Sequence, residues 1–103
     1  MIRVHVMYPS SSRFDYEYYV GKHLPLVAEL WGPLGLVSAE ASKGVSGLMP
    51  GSAAEYATIA SLTFPSLEVL QSVMTSASAG QVLGDIPNFT DAQPKVQISE
   101  VLA

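Results

Sequence analysis

Residues 1–8 alternate, with Ile2, Val4, Val6 and Tyr8 on one side and Arg3, His5 and Met7 on the other. That period of two marks a strand with one buried face. After a 9–13 loop the period changes. Tyr16, Tyr19, Val20, His23, Val27, Leu30 and Trp31 recur at helical spacing, so an amphipathic helix is predicted over 15–31. Asp15 is its N-cap, Glu17 complements the helix dipole in the first turn, and Gly32-Pro33 ends it. Pro25 sits inside this helix, removing a donor and freeing the Gly21 carbonyl, which predicts a kink beside His23. A local rule broken on a buried stripe is a pointer to function.

A second, weaker strand follows at 36–45, a turn-rich connection at 46–52, and a third strand at 56–64. In the third, Tyr56, Thr58, Ala60, Leu62 and Phe64 share a face. Pro65-Ser66 opens a second helix whose apolar stripe is Leu67, Leu70, Val73, Met74 and Ala77. A loop at 84–91 leads to a last strand at 96–102. Strand–helix–strand thus occurs twice. With right-handed crossovers, both helices fall on one face of a four-stranded antiparallel sheet, the ferredoxin-like βαββαβ arrangement of an α+β fold.

Composition sharpens this. The 103 residues suit a single domain, 1–103. They are 49% apolar but only 14% charged, against about 25% in typical soluble domains. Helices on one side leave the other sheet face bare, and so few charges cannot solvate it. The apolar surplus is therefore expected on that face and in an aromatic-lined pocket beside His23. A second copy should cover the bare face, closing a dimeric α+β barrel as a homodimer. The apolar runs are too short for a transmembrane helix, and the N-terminus alternates where a signal peptide would be continuously apolar. A net charge of −4 with five scattered Lys and Arg leaves no nucleic-acid footprint. A cytoplasmic protein that binds neither membrane nor nucleic acid is the expectation.

The chemistry available is narrow. Without cysteine there is no disulfide, thiolate ligand or thiol nucleophile. Two distant histidines without clustered carboxylates are no metal set, and neither a phosphate loop, a dinucleotide fingerprint nor a Gly-x-Ser-x-Gly elbow is present. No cofactor is expected. His23 shares its stripe with Tyr19 and Tyr16, and reads as a general acid or base with a tyrosine hydroxyl as partner or substrate clamp. The opposing reading is a core histidine satisfied by a backbone carbonyl. His5 points away from Val4 and Val6, towards the bare face, where an interface hydrogen bond suits it best. Were the strand faces reversed, His5 would share a pocket with His23. Asp85, Asn88, Thr90 and Asp91 read first as loop-capping residues, with Asn88 or Asp91 at a pocket mouth as the functional alternative. Phe14, Tyr16, Tyr18, Tyr19 and Trp31 gather on or beside the first helix and face small residues such as Ala41 and Ala60. That contrast either packs well or leaves a cleft for a small apolar or aromatic molecule.

The run Met7-Tyr8-Pro9, then Phe14-Asp15-x-x-Tyr18-Tyr19-x-x-x-His23-x-Pro25-Leu26, resembles the EthD family. So does Gly84-Asp85-Ile86-Pro87-Asn88-Phe89-Thr90-Asp91 near the other end. The resemblance implies a ferredoxin-like subunit of a dimeric α+β barrel. The family is named for a protein accompanying an oxygenase system that degrades ethyl tert-butyl ether. The wider superfamily includes cofactor-independent monooxygenases, polyketide cyclases, muconolactone isomerases and haem-degrading enzymes. Carried over by motif, the family's histidine is His23 and its loop motif falls on Asn88 and Asp91. The function expected is binding of a small hydrophobic or aromatic molecule between sheet and first helix. His23 and Tyr19 would be catalytic in an oxidoreductase, isomerase or cyclase, with Tyr16, Trp31, Asn88, Asp91 and His5 lining the substrate. The alternative is a non-enzymatic accessory protein of an oxygenase system. Family membership fixes fold better than reaction.

Overall fold

The computed structural model of the chain describes residues 1–10 and 13–103. Ser11 and Ser12, in the expected 9–13 loop, lie outside the described residues. Four strands, β1 (Ile2–Pro9), β2 (Ser38–Lys43), β3 (Tyr56–Phe64) and β4 (Lys95–Glu100), form one antiparallel sheet in the order β2-β3-β1-β4. This is the ferredoxin-like order. The two inner strands carry the strongest alternation, and their register sets Val4 against Leu62 and Tyr8 against Thr58, all four buried on the helix side.

The first helix, α1 (16–31), is continuous but irregular. Tyr16–Tyr18 is α-helical, Tyr19–His23 is a π turn, and Leu24–Trp31 is α-helical again. The Asp15 side chain caps it by accepting from the Tyr18 N–H at 3.1 Å. The kink expected from Pro25 is this π turn, in which the Leu24 N–H reaches back five residues to the Tyr19 carbonyl. Its effect is one of phase. Tyr19, His23, Val27 and Trp31 are all buried although spaced by four, a spacing that drifts by about 40° per step on a regular helix. The wider turn removes part of that drift and keeps the four on one face. Val20, expected on the stripe, is rotated out and is 62% exposed.

The second helical region is two helices, α2 (Leu67–Met74) and α3 (Ala77–Gly84). Between them the Thr75 hydroxyl donates to the Gln71 and Ser72 carbonyls and the Ser76 hydroxyl to the Val73 carbonyl. These side chains occupy the last carbonyls of α2 while Ser76 adopts an extended conformation, and the axis breaks. The buried residues are consequently Leu70, Val73, Ala79 and Val82, while Leu67, Met74 and Ala77 of the expected stripe are exposed.

One core cluster joins Val4, Leu62 and Phe64 of the sheet to Val27 and Trp31 of α1 and to Leu70, Val73, Ala79 and Val82. Each large apolar side chain buried this way contributes about 1.5–3 kcal/mol. A second cluster, Tyr8, Tyr19 and Phe89, is aromatic and takes in Phe14 and Tyr18 at its edge. Among the described residues no helix lies over the opposite sheet face. There β1 presents Arg3, His5 and Met7, opposite Thr63, Ser61 and Ile59 of β3 and Ser99, Gln97 and Lys95 of β4. That face is poor in charge, as expected, but its neutral residues are mostly small and polar. Much of the apolar surplus lies elsewhere, at Val45, Leu48 and Met49 in the β2–β3 connection and at Val96 and Ile98 on β4. Among the described residues no helix is long and apolar enough to cross a membrane.

Candidate functional site

His23 closes the π turn and is 4% exposed. Its Nδ1 lies 2.9 Å from Oδ2 of Asp85, which follows α3. The other carboxylate oxygen accepts from the Tyr18 hydroxyl at 2.6 Å and from the Asn88 side-chain amide at 2.9 Å. Burial alone would raise the Asp85 carboxyl. The hydrogen bonds from Tyr18, Asn88 and His23, with the charge of His23, outweigh it and hold the group below the ordinary carboxylate range. The hydrogen bond to Asp85, in turn, raises the Tyr18 hydroxyl. An ionised carboxylate only accepts, so His23 Nδ1 carries a proton in this contact, and in the neutral imidazole the lone pair is then on Nε2. Among the described residues Nε2 makes no hydrogen bond.

Two aromatic rings, themselves in contact, pack against the imidazole. Tyr19 stacks on it at 5.6 Å with an interplanar angle of 18°, and Phe89 tilts against it at 4.6 Å. Phe89 is fully buried and is itself held by the backbone, since its carbonyl accepts from the Asp15 N–H and Phe14 pairs with Thr90 in an isolated bridge. The 84–91 loop thus supplies both the partner of the His23 ring nitrogen and its packing.

His23 forms part of the wall of a cavity of about 60 Å³ between α1, the sheet and α3. Val6, Tyr8, Ala60 and Leu62 contribute from the sheet, and Tyr19, Leu24, Val27 and Trp31 from α1. Val82, Leu83 and Ile86 complete it. The small Ala60 opposite large aromatics leaves the space. Burial, together with the neighbouring Tyr19, raises the Tyr8 hydroxyl, and burial pushes the Tyr19 hydroxyl up to about 12. Both remain protonated donors at neutral pH. Trp31 Nε1 is buried without a partner among the described residues. An apolar space walled in part by a histidine and two protonated tyrosines suits proton transfer to or from a small ligand.

The residues expected at the site separate into three groups. His23, Tyr19 and Trp31 meet at the cavity. Asn88 stands behind it, donating to Asp85. Tyr16, His5 and Asp91 lie elsewhere. Tyr16 donates to the Ala57 carbonyl at 3.3 Å and carries the Lys43 ammonium over its ring. His5 is on the bare face, 3.4 Å from the Ser61 hydroxyl, and does not share the His23 pocket. Asp91 pairs with Arg13 at the surface at 3.6 Å. Asp85, read as a capping residue, is the acid that holds His23, and Tyr8 and Phe89 also belong to the site. A carboxylate three residues before an asparagine is a common loop pattern, and nothing local links it to a histidine 62 residues away.

The family model described as EthD domain matches residues 9–93. The crystal structure of an EthD-like protein from Ralstonia eutropha is similar with a TM-score of 0.91 and 34% identity, over 99% of this chain and 92% of that one. An EthD family protein from Bacillus halodurans is similar at 0.79 and 19% identity, over 99% of each chain. A dimeric ferredoxin-like protein from Thermobifida fusca shares the fold at 0.64 and 12% identity, over 97% of this chain and 90% of that one. No curated protein matches the sequence.

Proposed function

This chain belongs to the EthD family, and we propose that it binds a small apolar or aromatic molecule in the His23 cavity and moves a proton on it. One observation carries this reading: His23 lines an apolar cavity and is held through Nδ1 by Asp85, while its Nε2 has no protein partner among the described residues. A histidine serving only to pin the helix would have both nitrogens engaged. In the neutral imidazole, with Nδ1–H on Asp85, Nε2 is the base. It takes a proton from a ligand carbon or hydroxyl, and Asp85 stabilises the imidazolium that forms. The Tyr19 and Tyr8 hydroxyls, kept protonated by burial, donate to an oxygen on which charge develops. Returning the proton to another atom completes an isomerisation or cyclisation. Asp85, Tyr18 and Asn88 are positioning residues in this scheme. A second copy of the chain on the bare sheet face completes the assembly.

The test is exchange of the α-protons of phenylacetone in D2O, followed by NMR. The protein accelerates exchange, His23→Gln abolishes the acceleration, and Asp85→Asn reduces it by about 10²-fold or more. Perturbation of Trp31 fluorescence by phenylacetone without accelerated exchange would overturn the proton-transfer reading and leave the accessory binding protein in its place.

A further inference from the structure

The cavity of about 60 Å³ is less than half of the roughly 150 Å³ that admits benzene in a protein core, so a ring-sized ligand requires one wall to move. On the far side of that wall lies an open groove of about 510 Å³ along residues 86–94. Leu83 and Ile86 line both spaces. They are the partition. Leu83 is 55% exposed and so gives up little packing when it swings outward. The remaining cavity walls, Val82 of α3 included, belong to the sheet and the two core clusters, and Ile86 packs against the aromatic cluster, so Leu83 is the part of the partition that moves.

We infer that the groove is the outer half of the ligand site, and that the occupant is a single small molecule with an apolar ring and an uncharged, hydrogen-bonding tail. This rests on the cavity being the ligand site. The ring passes between Leu83 and Ile86 to reach His23, and the tail stays in the groove. Gln93 and Asp91 supply its polar wall, while Pro87, Ala92 and Pro94 leave the rest apolar. Asp91 is matched by Arg13 at 3.6 Å, so the groove offers no unbalanced charge to a carboxylate or an ammonium. A neutral amide or hydroxyl fits that wall. The partition also carries Asp85 between its two side chains in sequence. The wall that moves and the carboxylate that orients His23 therefore belong to one turn, and closing over the ring seats the acid on the histidine.

Trp31 is the only tryptophan in the chain and lies on the cavity wall, so its fluorescence reports occupancy directly. Three probes are titrated into the full chain: toluene, 3-phenylpropanamide and 3-phenylpropanoate. The amide binds about tenfold more tightly than toluene and than the carboxylate. Gln93→Ala brings it to the affinity of toluene, and Leu83→Ala speeds association of toluene severalfold in stopped flow. An amide no tighter than toluene, an advantage that survives Gln93→Ala, or an association rate unmoved by Leu83→Ala would overturn the outer subsite while leaving the inner cavity standing. Failure of toluene itself to alter Trp31 fluorescence would remove the cavity as a ligand site, and this inference with it.

Discussion

His23 Nδ1 and Asp85 Oδ2 stand 2.9 Å apart and join the π turn of α1 to the end of α3 across 62 residues of sequence. The contact has a structural reading, as a clasp between the two crossover regions, and a chemical one, as the device that frees Nε2. Both depend on Asp85 being ionised.

The folded chain holds the Asp85 carboxyl below its ordinary value, which is about 3.9 in an unfolded chain. Its contribution to stability is therefore full above about pH 4 and is lost as pH falls through the folded value. Urea denaturation of the protein and of Asp85→Asn across a pH series checks this. The stability difference between them is steady at neutral pH and shrinks below about pH 4. A difference that ignores pH would show the carboxylate to be inert.

Phe89 touches the rings of Tyr8, Phe14, Tyr19 and His23 with centroids 4.6–5.5 Å away. Such pairs add about 0.5–1.5 kcal/mol each beyond burial. Phe89→Leu keeps an apolar side chain but removes the ring, at a cost of about 1–3 kcal/mol. In a domain of this size that lowers Tm by several degrees, since about 1 kcal/mol corresponds to 4–8 °C.

Asp15 caps α1 through a 3.1 Å bond to the Tyr18 N–H. Asp15→Ala removes an acceptor and costs about 1 kcal/mol, whereas Asp15→Asn retains an oxygen at the same place. Chemical denaturation of the two variants separates the cap from the charge. Equal losses in both would assign the effect to the helix dipole.

A second copy on the bare sheet face gives a mass twice the chain's 10.9 kDa by light scattering. Ile59 projects from that face near the middle of β3 and is 38% exposed. Ile59→Glu places a charge where the two sheets meet and returns the single-chain mass at micromolar concentration. A single-chain mass for the unaltered protein would rule the dimer out.

The sheet was legible because β1 and β3 each have one buried face, and that alone produces clean alternation at Val4, Tyr8, Ala60 and Leu62. β2 is exposed along its whole length and carries mixed small residues, so its ends were not. The histidine was legible because it sits on a buried stripe beside a proline. The break at Thr75–Ser76 escapes the hydrophobic periodicity because a serine or threonine competes for backbone only once the helix presents it with carbonyls. Asp85 escaped for a different reason. Its role is tertiary, and a loop aspartate has the same appearance in sequence whether it caps its own backbone or receives a distant histidine. A spacing of seven groups Tyr16 with His23 only on a helix of uniform pitch. With the π turn between them, Tyr16 reaches the Ala57 carbonyl instead.

That turn makes α1 one residue longer than a regular helix between the same ends would need to be. Deleting the exposed Val20 would restore ordinary pitch at little cost in burial and leave the Tyr16–Tyr18 segment nearly in place, yet would set Tyr19 three residues from His23 instead of four. Tyr19 would then turn away from the His23 ring on which it stacks. The number of residues in this helix is thus under tighter constraint than the identity of several of them. An indel scan along α1 would tolerate a compensated pair on either side of the turn and reject either change alone.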